Sequence, residues 1–129
     1  MRALWGAAAV LAALGIVGVS SMPAGTMGGG TGSATEQVVS NLLHVPAFAV
    51  LTFLWIKTFH LEHAERKPVK RKAMVWLLVA LTCFAAMTEV QQAFVPGRFA
   101  SFMDFVLNLA GILAGWWGTR KVYRPGSAS

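Results

Sequence analysis

Four apolar runs dominate this chain, at about 3–19, 38–59, 73–92 and 101–119, and each is long enough to cross a bilayer as a helix at roughly 1.5 Å per residue. In 129 residues of which 56% are hydrophobic and only 12% charged, too little polar sequence is left to cover such runs in water. The expected fold is therefore all-α: a polytopic membrane helix bundle with four transmembrane helices, forming one domain over 1–129. Three helices would remain if the first run were cleaved as a signal peptide. Met1 and Arg2 followed by an Ala/Leu/Val/Gly stretch and Ser20-Ser21 have that look, but the run exceeds the roughly 7–15 residues of a signal h-region, and a retained helix is expected.

The formal net charge of +6 does not point to nucleic acid, because the charges sort by side of the membrane. Arg66, Lys67, Lys70, Arg71 and Lys72 lie between the second and third runs, Arg120, Lys121 and Arg124 follow the fourth, and Arg2 precedes the first. The opposite connections hold only Arg98. Both termini and the 60–72 loop are thus expected in the cytoplasm, with membrane lipids as partners and no nucleic acid. The segment 23–33, rich in glycine, reads as an external linker. It lacks the Gly-Lys-Ser/Thr ending and the preceding strand of a phosphate-binding loop.

Against this apolar background five strongly polar side chains fall near the ends of the last two runs: Glu89, Gln92, Arg98, Asp104 and Asn108. An unpartnered ionisable group at such depth costs at least a few kcal/mol, so these residues are expected to form one partnered site. Glu89 and Gln92, three apart, share a helix face, with Thr82, Ala85 and Ala86 extending it inward. Asp104, Asn108, Gly111, Gly115 and Gly118 recur at spacings of 4, 3, 4 and 3, a single helical stripe whose far end is glycine. Gly111 and Gly115 form a Gly-x-x-x-Gly pair, a packing signal for close helix approach. Pro96-Gly97 turns the chain tightly, which makes the third and fourth helices antiparallel neighbours. Arg98, at that turn, is placed to reach a carboxylate or meet an external anion.

In the second run, Thr35 and Glu36 mark a helix start, with His44 about two turns further on. Pro46 removes one backbone donor and frees the carbonyl of Leu42, so this stretch is expected to be bent and partly polar. Cys83, the only cysteine, is expected as a small core residue inside the third run. His60 and His63, spaced three apart beside Glu62 and Glu65, are too few and too closely surrounded by Lys57 and the basic run for a zinc site. No metal or other cofactor is expected.

The string Glu89-x-x-Gln92-x-Phe94-x-Pro96-Gly97-Arg98-x-x-Ser101-x-x-Asp104-x-x-x-Asn108-x-x-Gly111-x-x-x-Gly115 resembles the C-terminal signature of the VanZ-like family of small membrane proteins. The segment Asn41-Leu42-Leu43-His44-Val45-Pro46-Ala47-Phe48 more weakly resembles the family's Asp-Lys-x-x-His-x-x-x-Tyr stretch. His44 is kept, while Ser40 and Asn41 stand in place of Asp-Lys and Phe48 in place of tyrosine, removing two charges and a hydroxyl. The resemblance implies a protein of the bacterial cell envelope, in the cytoplasmic (inner) membrane, within a family named for an association with glycopeptide resistance. It does not supply a reaction.

Three functional classes follow. The first is an envelope protein whose outward polar site, built from His44, Glu89, Gln92, Arg98, Asp104 and Asn108, binds a lipid-linked or glycopeptide-like molecule. In the second, a small accessory subunit of a larger membrane complex, the cluster is an internal brace. The third, an enzyme or proton conduit pairing Glu89 with His44, is the least supported, because no nucleophile-and-base spacing accompanies the pair.

Overall fold

The runs become four helices: α1 (Arg2–Ser20), α2 (Ala34–Glu62), α3 (Arg71–Gln92) and α4 (Phe102–Val122). The computed structural model describes residues 1–23, 26, 34–62, 71–98 and 100–122, and no strand occurs among them. Most of the expected 23–33 linker, together with His63, Arg66, Lys67, Lys70 and Arg124, lies outside the described residues, as do the side chains of Thr35, Glu36 and His60.

α1 and α3 each have a local reason to stop. The last turn of α1 closes on itself where Ser21 donates its backbone N–H to Val17 at 3.0 Å and its hydroxyl to the same carbonyl at 2.6 Å. α3 ends in a tightening turn, Phe94 N–H to Gln91 O and Val95 N–H to Gln92 O, both at 3.0 Å. Pro96 and Gly97 then occupy the centre of a type II turn closed by Arg98 N–H to Val95 O at 3.1 Å. Gly97 has φ 76°, a conformation that an L side chain rarely adopts, so glycine is required there. α2 runs unbroken through Pro46 for 29 residues, roughly 43 Å of helix against a hydrocarbon core of about 30 Å.

α1, α2 and α3 contain segments long and apolar enough to cross a membrane: Ala3–Ser20, Leu42–Phe59 and Arg71–Gln92. α4 is not among them, although it is 21 residues long. Asp104, Asn108 and its glycines dilute its hydropathy, so three of the four expected helices stand out by length and composition. The surface supports the same solvent. Leu4, Leu11, Leu14, Trp76, Met87, Val90, Leu113 and Trp117 are exposed, while among the described residues the buried set contains eight polar or charged side chains against seven apolar ones. A chain in water would turn those groups the other way; in lipid, polar side chains gather where they meet one another.

α4 packs most extensively along α2, and the two run parallel: Gly111 lies against Val45 and Phe48, and Gly115 against Ala49 and Thr52. α1 runs antiparallel to α2, with the Lys57 ammonium 5.3 Å from the centre of the Trp5 ring. The core forms where α2, α3 and α4 converge on Phe48, Leu51, Leu81, Ala85 and Ile112, with Phe48 and Phe84 in tilted contact at 6.0 Å. Ala12, Ala13 and Ile16 of α1 close its open side.

Three expectations about helix faces are corrected. The buried face of α3 is Leu81, Ala85, Thr88, Glu89 and Gln92, whereas Ala86 is exposed. Cys83 is also exposed, on the apolar outer face of α3 beside Val79 and Thr82, and is no core residue. Gly118 continues the α4 stripe in sequence, yet a Cβ there would meet nothing within 4 Å. Gly118→Ala is therefore expected to leave stability unchanged or raise it by up to about 1 kcal/mol through helix propensity, measured by denaturant unfolding in detergent. A clear loss would mean that the glycine seam extends further than Gly115.

Candidate functional site

The turn at Pro96-Gly97 sets the geometry of the polar cluster. It folds α4 back along α3, so the last turn of α3 faces the first two turns of α4, and the stretch of α2 at His44 joins them. Asn108, fully buried on α4, is the hub. Its amide nitrogen donates to Glu89 Oε1 at 3.0 Å, and its amide oxygen lies 2.8 Å from His44 Nδ1. With the amide nitrogen committed to a carboxyl group, the amide oxygen can only accept, so His44 Nδ1 carries the hydrogen. One side chain thereby ties α2, α3 and α4 together.

The second oxygen of Glu89 accepts a long bond, 3.4 Å, from the backbone N–H of Ser101. Ser101 precedes α4 and caps it: its hydroxyl accepts from Asp104 N–H at 3.4 Å and its carbonyl from Phe105 N–H at 3.1 Å. Ser-x-x-Asp is the pattern of a capping box, in which the acidic side chain would reach back to the serine N–H. Here Glu89 takes that N–H from across the hairpin. Asp104 is left buried, with Oδ1 lacking a hydrogen-bond partner among the described residues. Its position in the first turn of α4 is favourable for a negative charge.

Gln92 is 3% exposed, and its amide nitrogen also lacks a partner among the described residues. Arg98 turns toward α1. Its Nη1 donates to the carbonyl of Ser20 at 3.4 Å, placing a cation at the negative end of α1. Beside it Gln91 Nε2 donates to the hydroxyl of Ser21. Ser20, Ser21, Gln91 and Ser101 were given no role by sequence reasoning. The signal for Ser101 was present in the Ser-x-x-Asp spacing, but nothing local in the chain indicates that the end of α1 meets the 93–101 connection.

The six side chains are thus not one open cluster. His44, Asn108 and Glu89 form a bonded chain, Asp104 adjoins it through Ser101, and Arg98 turns toward α1. Access comes from the side. An open groove of about 210 Å³ runs beside Glu89 between α3 and α4, lined by Ala86, Glu89, Ala100, Ser101, Phe102 and Phe105. Glu89 and Ser101 are among its lining residues, while the surface it presents is almost entirely apolar. Among the described residues no group of three metal-ligating side chains comes together.

An apolar exterior around an inward polar network defines a membrane helix bundle with a buried polar site under one of its hairpins. The chain belongs to the VanZ/LLP1 family, whose model matches residues 8–123. The match extends well beyond the 89–115 string and the His44 segment that carried the resemblance, and it includes residues of all four helices. Neither a curated protein nor a solved structure matches the chain.

Proposed function

We propose that this membrane protein holds the polar headgroup of a lipid-linked molecule at the hairpin end of its bundle, in the outer leaflet of a bacterial cytoplasmic membrane. In this reading the chain crosses that membrane several times and keeps both termini in the cytoplasm, as the distribution of basic residues favours. The groove beside Glu89 carries the proposal. It is a shallow, almost entirely apolar groove between two helices, with Glu89 and Ser101 in its lining beside Phe102 and Phe105, which suits an acyl or prenyl tail whose polar head lies near Glu89. Its volume is below the roughly 300–1,000 Å³ of pockets that enclose a whole drug-sized ligand, so a headgroup fits better than a free glycopeptide. Arg98, half-buried near the same end, uses one of its five donors on Ser20, and the others suit a phosphate.

A photo-crosslinking amino acid placed at position 105 in the groove, or at position 79 on the outer face of α3, tests this in membranes. Position 105 is expected to give adducts of a lipid-linked species, identified by mass, that position 79 does not give. Their yield should fall several-fold in Glu89→Gln while the protein stays folded and inserted. The same lipids in equal yield at both positions would sink the reading.

The His44–Asn108–Glu89 chain favours a second reading, in which the cluster braces a small subunit of a larger complex. Native mass measurement after mild extraction separates the two: a large stable assembly supports the subunit, and a monomer or homodimer removes it.

A further inference from the structure

The end of the bundle opposite the hairpin gathers a different chemistry. Trp5 lies near the start of α1, Trp55 near the end of α2, Trp76 in the second turn of α3, and Trp116 and Trp117 near the end of α4. All five tryptophans of the chain therefore fall on one side of the membrane core, and the hairpin end has none. Indoles are ordinarily enriched at both interfaces, so the asymmetry needs a cause of its own.

Two of the cations at this end, Arg120 and Lys57, lie against aromatic rings. The guanidinium of Arg120 lies 4.4 Å from the centre of the Trp116 ring, and the Lys57 ammonium lies 5.3 Å from Trp5 and 5.7 Å from Phe53. Arg71 and Lys72 stand exposed in the first turn of α3, a turn without an acidic residue. Positive charge there opposes the helix dipole, so α3 itself gains nothing from them. A topology signal requires only that basic residues lie on one side. It does not require any of them to lie against indoles, as Arg120 and Lys57 do.

We propose that this rim is a binding surface for anionic phospholipids, with Arg120, Lys57, Arg71 and Lys72 meeting headgroup phosphates and the tryptophans seated at the ester level beneath. A guanidinium over an indole face keeps donors for phosphate oxygens, and the indole excludes water from one side of the contact. A basic residue at a membrane surface favours anionic lipid by about five-fold.

The tryptophans report on their own surroundings. The full chain is reconstituted in phosphatidylcholine vesicles containing equal mole fractions of either brominated phosphatidylglycerol or brominated phosphatidylcholine, and quenching of tryptophan fluorescence is compared. Brominated phosphatidylglycerol is expected to bind several-fold more strongly, and Arg71→Gln combined with Lys72→Gln and Arg120→Gln should bring the ratio close to one. Equal quenching by the two lipids, or an unchanged ratio in the triple variant, would overturn the proposal. Soluble glycerol phosphate at millimolar concentration should leave the ratio unchanged; its collapse would assign the surface to free phosphate instead. Should the triple variant fail to fold by circular dichroism, raising salt from about 0.1 to 1 M on the unaltered protein shortens screening from about 10 to 3 Å. The preference must then weaken, and a salt-independent ratio counts against it.

Discussion

Gly111→Ala is expected to destabilise the bundle by about 2–3 kcal/mol, toward the upper end of the usual cost of overpacking. A Cβ at this position would overlap the carbonyl oxygen of Val45 and stand 2.9 Å from the Cβ of Phe48. Neither atom is the far end of a flexible side chain, so relief requires α2 and α4 to move apart. Gly115→Ala meets the same obstacle one turn further on, 2.5 Å from the oxygen of Ala49 and 2.9 Å from the Cβ of Thr52. Because both substitutions act by separating the same two helices, their effects should add incompletely. Equilibrium unfolding in detergent measures both, with Gly118→Ala as the control on the same stripe. If Gly111→Ala proves as stable as the parent protein, α2 and α4 do not meet at this seam.

Asn108→Leu should be comparably damaging for a different reason. The side chain makes two hydrogen bonds, and its loss leaves a carboxyl group and an imidazole facing an apolar methyl. A hydrogen bond between membrane helices averages only about 0.6 kcal/mol when deleted, because the unfolded chain in lipid also finds partners. Stranding two buried polar groups costs more than the bonds are worth, about 1–3 kcal/mol for each group, and a total of about 2–4 kcal/mol is expected. The cost belongs to the stranded groups, so a second change, Glu89→Leu, should recover part of it in the same unfolding measurement. No recovery would mean that Asn108 acts through packing alone. The pair also separates stability from function. Asn108→Leu should lower stability and headgroup crosslinking together, while Glu89→Gln, which keeps an amide oxygen for Asn108, should reduce crosslinking in a protein that still folds.

Much of the fold was legible along the chain. The four apolar runs became four helices with ends within a few residues of those expected, and α2 starts at Ala34, beside the Thr35-Glu36 helix start. Apolar length is a local property, and so is the Pro96-Gly97 turn that makes α3 and α4 antiparallel. The grouping of Glu89 with Asn108 followed from that turn together with helical spacing. Side-chain roles were less legible. Cys83 and Ala86 lie outside although their neighbours suggested a buried face, and Arg98 meets the carbonyl of Ser20, 78 residues away.

Those misses share a physical cause. In water an apolar side chain points inward, and the sequence pattern reveals how a helix is rotated about its axis. In a bilayer lipid and protein interior are equally apolar, so a run of Leu, Val and Ala carries almost no such information. By itself, the sequence determined what locally bonded turns and hydrophobic length can determine: the number of helices, where they end, and which polar residues share a face. Only the tertiary structure decided that the glycine seam receives α2, that Asn108 joins three helices and that Glu89 takes the N–H which Asp104 would otherwise cap. Those outcomes depend on close contact between backbones far apart in sequence, and no local preference encodes them.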